Sequence, residues 1–170
     1  YELLKLHDSY LNMKKITIAL VACLVFTINS GCLEQIFADE EGEKRPQKGL
    51  SKHCINYDEK ERCWLILIPE NIDFTKKNPL IVDMHGIGGS MYLQHNLTRF
   101  ANISEEYGVY LAYPQGFNNE WNMADDLCCG DDDDFGFILE MIETIIQRYA
   151  VDESRIYSTG WSNGCGMTQR

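Results

Sequence analysis

The sequence predicts an α/β fold: a mostly parallel sheet with flanking helices. Three observations predict it. Short apolar runs of strand length recur along the chain, one clear amphipathic helix separates the last two of them, and glycines follow directly on the runs at 80–84 and 155–159. Runs with little alternation are what strands buried on both faces require. Strand–helix–strand order then implies a parallel pair joined by a right-handed crossover.

The N-terminal residues read as an address. Met13 is a natural start, Lys14 and Lys15 give a positive segment, and Ile16–Ile28 is nearly all apolar. That run is shorter than the roughly 20 residues of a membrane span. Residues 13–32 are therefore expected to be an export signal, with residues 1–12 read-through upstream of the start. Asn29-Ser30-Gly31-Cys32 resembles a bacterial lipobox, with Asn29 where that pattern carries an apolar residue. Lipid-anchored and freely secreted forms both stay open. Residues 33–49, charged and holding Pro46 and Gly49, read as a solvated tether. Residues 50–170 read as the N-terminal part of a folded domain that continues past Arg170.

Along that domain, Trp64–Ile68 is a strand stopped by Pro69, and Leu80–Met84 is a second. Met91–Tyr107 is polar with helical potential. Val109–Tyr113 is a third strand, ended by Pro114, and Arg155–Thr159 a fourth. Between the last two, Phe135, Ile138, Leu139, Ile142, Ile145, Ile146 and Tyr149 recur at helical spacing as one apolar stripe. Asp133 or Asp134 stands where a carboxylate caps the helix N-terminus.

Composition narrows the function. With 26 acidic against 15 basic residues the net charge is −11. Such a surface repels phosphate backbones, so nucleic acid is excluded as a partner, and so is a polybasic membrane patch. Membrane contact is expected only through the signal or a lipid anchor. There are 7 cysteines, a number suited to an oxidising compartment. Cys54 and Cys63 flank a polar turn and are candidates for a disulfide across a hairpin. Cys165 is a candidate partner for Cys128 or Cys129, with Cys129–Cys165 the pairing adopted. Buried free thiols are the alternative for that second pair. No spacing of Cys and His fits zinc, so neither metal nor cofactor is expected.

Chemistry concentrates in two places. Gly160-Trp161-Ser162-Asn163-Gly164 matches Gly-x-Ser-x-Gly and follows a strand directly. A glycine-tightened turn between strand and helix holds a serine in strained backbone and projects its hydroxyl from the sheet, which makes Ser162 the candidate nucleophile. The helix that starts after it favours a developing oxyanion. His85-Gly86-Ile87-Gly88-Gly89-Ser90 follows the strand at 80–84. Acyl transfer needs two backbone N–H donors for the carbonyl oxygen. Asn163 supplies one and Ile87, ahead of Gly88, the other. Gly86, Gly88 and Gly89 let this loop pass close to a substrate, and His85 reads as its structural member rather than a general base. A phosphate-cradling loop fits poorly, because neither Gly-Lys-Ser/Thr nor Gly-x-Gly-x-x-Gly is present. His53 and His95 are expected on the surface. Trp161 and Trp121, with Tyr113 and Phe117, are candidates to line a substrate pocket, against the alternative that each packs the core. Two N-glycosylation sequons, at Asn96 and Asn102, are taken as chance matches.

With these residues in place the sequence resembles the esterase family of polyhydroxybutyrate depolymerases and related feruloyl and acetylxylan esterases. The resemblance runs through Pro79–Gly86, Gly88–Ser90, Ala112–Gly116 with Trp121, Cys128–Gly130, Asp133–Phe137, Val151-Asp152, Arg155–Tyr157 and Thr159–Gly164, in the family's order. Cys165-Gly166 departs from the second glycine usual there. The resemblance implies an α/β-hydrolase fold, a Ser-His-Asp triad, no metal, and ester substrates that are polymeric or linked to polysaccharide. In that fold the acid and histidine follow the serine, so both would lie beyond Arg170, with the chain truncated after the nucleophile elbow. A peptidase on the same fold, using the same serine, is one rival. A non-catalytic exported binding protein that keeps the elbow as scaffold is the other.

Overall fold

The structure is a computed structural model that describes residues 47–123 and 129–170. Residues 13–32, most of 33–49, and Cys128 lie outside the described residues. Five strands form one sheet in the order β1-β2-β4-β3-β5. They are β1 (Gly49–Tyr57), β2 (Lys60–Ile68), β3 (Asn78–Met84), β4 (Tyr110–Pro114) and β5 (Val151–Gly160). The helices are α1 (Met91–Thr98), α2 (Ala101–Tyr107), α3 (Asp134–Arg148) and the short α4 (Asn163–Met167), with a 3₁₀ turn at Phe117–Asn119.

The sheet is mixed rather than mostly parallel. β3 runs parallel to both β4 and β5. β2 is antiparallel to β4, and β1 to β2. β1 and β2 pair through a two-residue turn, Asp58-Glu59, whose positive φ angles of 49° and 60° match the twist of a tight hairpin. Cys54 stands opposite Cys63 in that pair, and the two form a disulfide.

β2 explains why an unbroken apolar run was needed. Trp64, Ile66 and Ile68 face one core, with α3, while Leu65 and Leu67 face a second, with Met91 at the start of α1. Successive side chains point to opposite faces, so both phases must be apolar. The stretch 91–107 is two helices. Arg99, at φ 55°, ends the first in left-handed backbone, and Gly108 ends the second in the same way. In α3 the buried face is centred on Phe137, Ile138, Met141 and Ile145. Phe135 and Leu139, read as part of the buried stripe, stand partly exposed beside β5 and α4. Asp133 caps α3, accepting from the Gly136 N–H at 2.9 Å. Asp134 is instead buried against Arg62 of β2 in an ion pair. Its second oxygen accepts from the Asn122 N–H at 2.8 Å, and the guanidinium lies 4.1 Å from the centre of the Phe137 ring.

Candidate active site

The carboxyl ends of β3, β4 and β5 lie side by side, so the turns that leave them meet. Ser162 occupies the turn from β5 into α4 with φ 52° and ψ −114°. A serine rarely adopts such backbone, and it persists only where the surroundings enforce it. Enforcement comes from the end of β3. The Trp161 N–H donates to the Met84 carbonyl at 3.0 Å, and the Gly164 N–H donates back to the Trp161 carbonyl at 2.9 Å. A Cβ on Gly164 would overlap the Met84 carbonyl oxygen and reach 2.5 Å from the His85 oxygen. Only glycine allows α4 to approach this closely. Ser162 itself is exposed, and its hydroxyl has no hydrogen-bond partner among the described residues.

The loop after β3 lies against this turn. A Cβ built on Gly86 would stand 3.4 Å from the Ser162 Cβ and 3.1 Å from the Trp161 ring. The loop is tightened by a bond from the Gly89 N–H to the Gly86 carbonyl at 2.9 Å. The Gly88 N–H is committed to the Asn119 carbonyl at 2.8 Å. The Ile87 N–H has no acceptor among the described residues, and the Ile87 side chain is 61% exposed.

His85 is buried. Its Nε2 accepts from the Gly116 N–H at 3.0 Å, so the proton sits on Nδ1 and is donated to the Gly86 carbonyl at 2.8 Å. Both ring nitrogens are engaged within the loop. Burial pushes the imidazole below its usual range, only partly opposed by the Gly86 carbonyl and Asp134. Gln115 braces the same corner, accepting from the Met91 N–H at 3.0 Å and approaching His85 Nε2 at 3.1 Å. One step back along β3, buried Asp83 accepts from Gln94 at 2.7 Å and Thr98 at 2.8 Å. Those bonds fasten α1, and with it the far end of the loop. Burial raises the Asp83 carboxyl above its usual range, against the pull of the two donors.

Several sequence expectations change here. Trp121 is fully buried and donates its indole N–H to the His85 carbonyl at 2.8 Å. It is a core residue under the loop, not a substrate contact. Tyr113 is buried as well. Trp161, next to Ser162, is 64% exposed. Cys129 does not pair with Cys165. Cys129 is already in a disulfide, and Cys165 carries a free thiol on the exposed side of α4. His53 and His95 are half-buried rather than on the surface. His53 stacks on Trp64 with centroids 5.9 Å apart, and His95 meets Tyr113 edge-on at 5.1 Å.

Comparison with known proteins bears on this geometry. The chain is homologous to feruloyl and acetylxylan esterases. It is 34% identical over 96 residues to feruloyl esterase B of Neurospora crassa, covering 54% of this chain and 33% of that protein. Identity to feruloyl esterase B of Piromyces equi is 30% over 108 residues, covering 61% and 20%. Acetylxylan esterase A of Emericella nidulans is 30% identical over 108 residues, covering 61% and 34%. The chain thus spans about a third or less of these relatives' length. No protein-family model matches it. Among solved structures, a thermostable esterase superposes with a TM-score of 0.58 at 22% identity, over 70% of this chain and 36% of that one. Acetyl xylan esterase from Aspergillus awamori gives 0.56 at 21% identity, over 67% and 43%. These neighbours have the α/β-hydrolase fold, and the mixed sheet with flanking helices fits it.

Proposed function

We propose that the full-length protein is an exported serine esterase that hydrolyses carboxylic esters, with Ser162 as nucleophile. The observation that carries this reading is the strained Ser162 turn, pressed against Gly86 of the loop after β3. Ser162 Oγ attacks the ester carbonyl, and the charge that develops on the carbonyl oxygen is held by the N–H groups of Ile87 and Asn163. Gly88, its N–H committed to Asn119, stands aside. A histidine and a carboxylate from sequence following Arg170 complete the triad, in the chain order of this fold. The histidine takes the serine proton during attack and returns it to the leaving alcohol. Water then hydrolyses the acyl-enzyme.

The substrates we propose are feruloyl or acetyl esters on polysaccharide, or a polyhydroxyalkanoate. Homology to feruloyl and acetylxylan esterases supports the first two, and the motif resemblance supports the third. Trp161 lies beside the serine as an apolar rim. Export rests on the Met13–Cys32 segment, and both lipid-anchored and free forms fit it.

The test is a panel of nitrophenyl esters, feruloylated and acetylated xylan, hydroxybutyrate oligomers and peptide amides, offered to the full-length protein. Ester turnover that falls by about 10⁵-fold in Ser162→Ala is expected. Retention of ester hydrolysis in that variant removes the reading. Amide cleavage exceeding ester cleavage favours a peptidase.

A further inference from the structure

Two segments far apart in sequence must be held in register: the turn that presents Ser162 and the loop that presents the Ile87 N–H. One buried residue, Trp121, bonds to both. The Asn163 side chain, 4% exposed, accepts from the Trp121 N–H at 2.7 Å and donates to the Trp121 carbonyl at 2.9 Å. It grips a main-chain peptide from both polar ends, as a neighbouring strand would. The Trp121 indole N–H then donates to the His85 carbonyl at 2.8 Å, and its ring packs on the His85 imidazole with centroids 4.9 Å apart. His85 stands two residues before Ile87, and its ring is pinned on the other side by Gly116 and Gln115.

We propose that Asn163, Trp121 and His85 form a strut that sets the spacing between the two oxyanion donors. Asn163 and Trp121 are then positioning residues for the esterase reaction, and this rests on the serine-esterase reading above. Asn163 acts twice. Its N–H meets the oxyanion, and its side chain, through Trp121, fixes where the second donor sits. The bond from Trp161 to Met84 ties the turn to the end of β3, but it stops short of the loop. Buried hydrogen bonds of this kind fix geometry strongly, because breaking one strands a polar group away from water. Oxyanion donors act through exact placement, and a misplacement of about 1 Å costs on the order of 10²-fold.

The experiment uses Trp121→Phe and Asn163→Ala, singly and together, in the full-length protein. Trp121→Phe keeps a buried ring but removes the N–H that reaches His85. A tenfold fall in kcat is expected for Trp121→Phe and about 10²-fold for Asn163→Ala, each with KM changed less than twofold. Both cut one strut, so the double variant is expected to lose no more than Asn163→Ala alone. Amide hydrogen exchange over residues 86–89 is expected to accelerate in each. A kcat unchanged by Trp121→Phe, or losses that multiply in the double variant, overturns the strut. Where Asn163→Ala fails to fold, Trp121→Phe decides alone. Were the parent protein to hydrolyse no ester, the esterase reading would fall, while exchange at 86–89 would still decide the strut: faster in Trp121→Phe supports it, unchanged refutes it.

Discussion

Gly164→Ala is the sharpest perturbation the structure offers. The added methyl would overlap the Met84 carbonyl oxygen and stand 2.5 Å from the His85 oxygen. Ordinary non-bonded separations between heavy atoms are about 3.5 Å or more, so α4 must retreat by about 1 Å. Both obstacles are main-chain atoms at the end of β3, which is hydrogen-bonded on both sides and yields little. Overpacking of this kind costs about 1–3 kcal/mol. Alanine's better helix propensity returns about 1 kcal/mol at most, so a net loss of about 1–2 kcal/mol is expected. Activity should suffer more. Retreat of α4 pulls Ser162 and the Asn163 N–H from the loop after β3, and about 1 Å corresponds to roughly 10²-fold in rate. The assay is kcat on nitrophenyl acetate by the full-length protein, beside its thermal midpoint. A variant with kcat within twofold of the parent and an unmoved midpoint would show that close approach of α4 to β3 does not hold the site together.

Three further outcomes are expected. Arg62→Met leaves the Asp134 carboxylate buried without its cation and should destabilise by about 3–5 kcal/mol in urea; pairing it with Asp134→Leu should recover most of the loss. Opening the Cys54–Cys63 bridge, whose ends are 9 residues apart, should cost about 2.5 kcal/mol by the loop-entropy relation, read as a lower denaturation midpoint in Cys54→Ala/Cys63→Ala. His85 has a depressed folded-state pKa, so the stability it contributes is present above the unfolded value of 6.5 and is lost as pH falls from there through the folded value. Protonated Nε2 would face the Gly116 N–H donor to donor. Thermal midpoints measured from pH 7.5 down to 5 should therefore fall more steeply for the parent than for His85→Gln.

How much of this was legible depends on where each signal resides. β2, β3 and β4 could be read because burial on two faces writes an unbroken apolar run such as Trp64–Ile68. β1 could not, since Gly49–Tyr57 alternates between half-buried and exposed positions, and only Cys54 pointed to its partner. Strand direction escaped as well: nothing within Leu65–Leu67 encodes that β4 runs antiparallel beside it. Arg99 breaks the helical stretch with no glycine or proline to mark the place. The α3 stripe was misjudged because Phe137 and Met141 are as apolar as Phe135 and Leu139, and the sheet decides between them. Gly160–Gly164 was legible because the turn's sterics demand glycines at fixed spacing. The Asn163 side chain and Trp121 were not, because their partners lie 42 and 36 residues away. Asp83 was hidden too, since a carboxylate within an apolar strand declares no donors until α1 folds over it.

The central claim is that Ser162 is an activated nucleophile beside an oxyanion loop. The most direct measurement treats the full-length protein with a fluorophosphonate and maps the adduct by peptide mass spectrometry. The account predicts one phosphonyl group, on Ser162, with ester hydrolysis lost in proportion to labelling. A labelled residue elsewhere, or full hydrolysis with Ser162 unmodified, would contradict it.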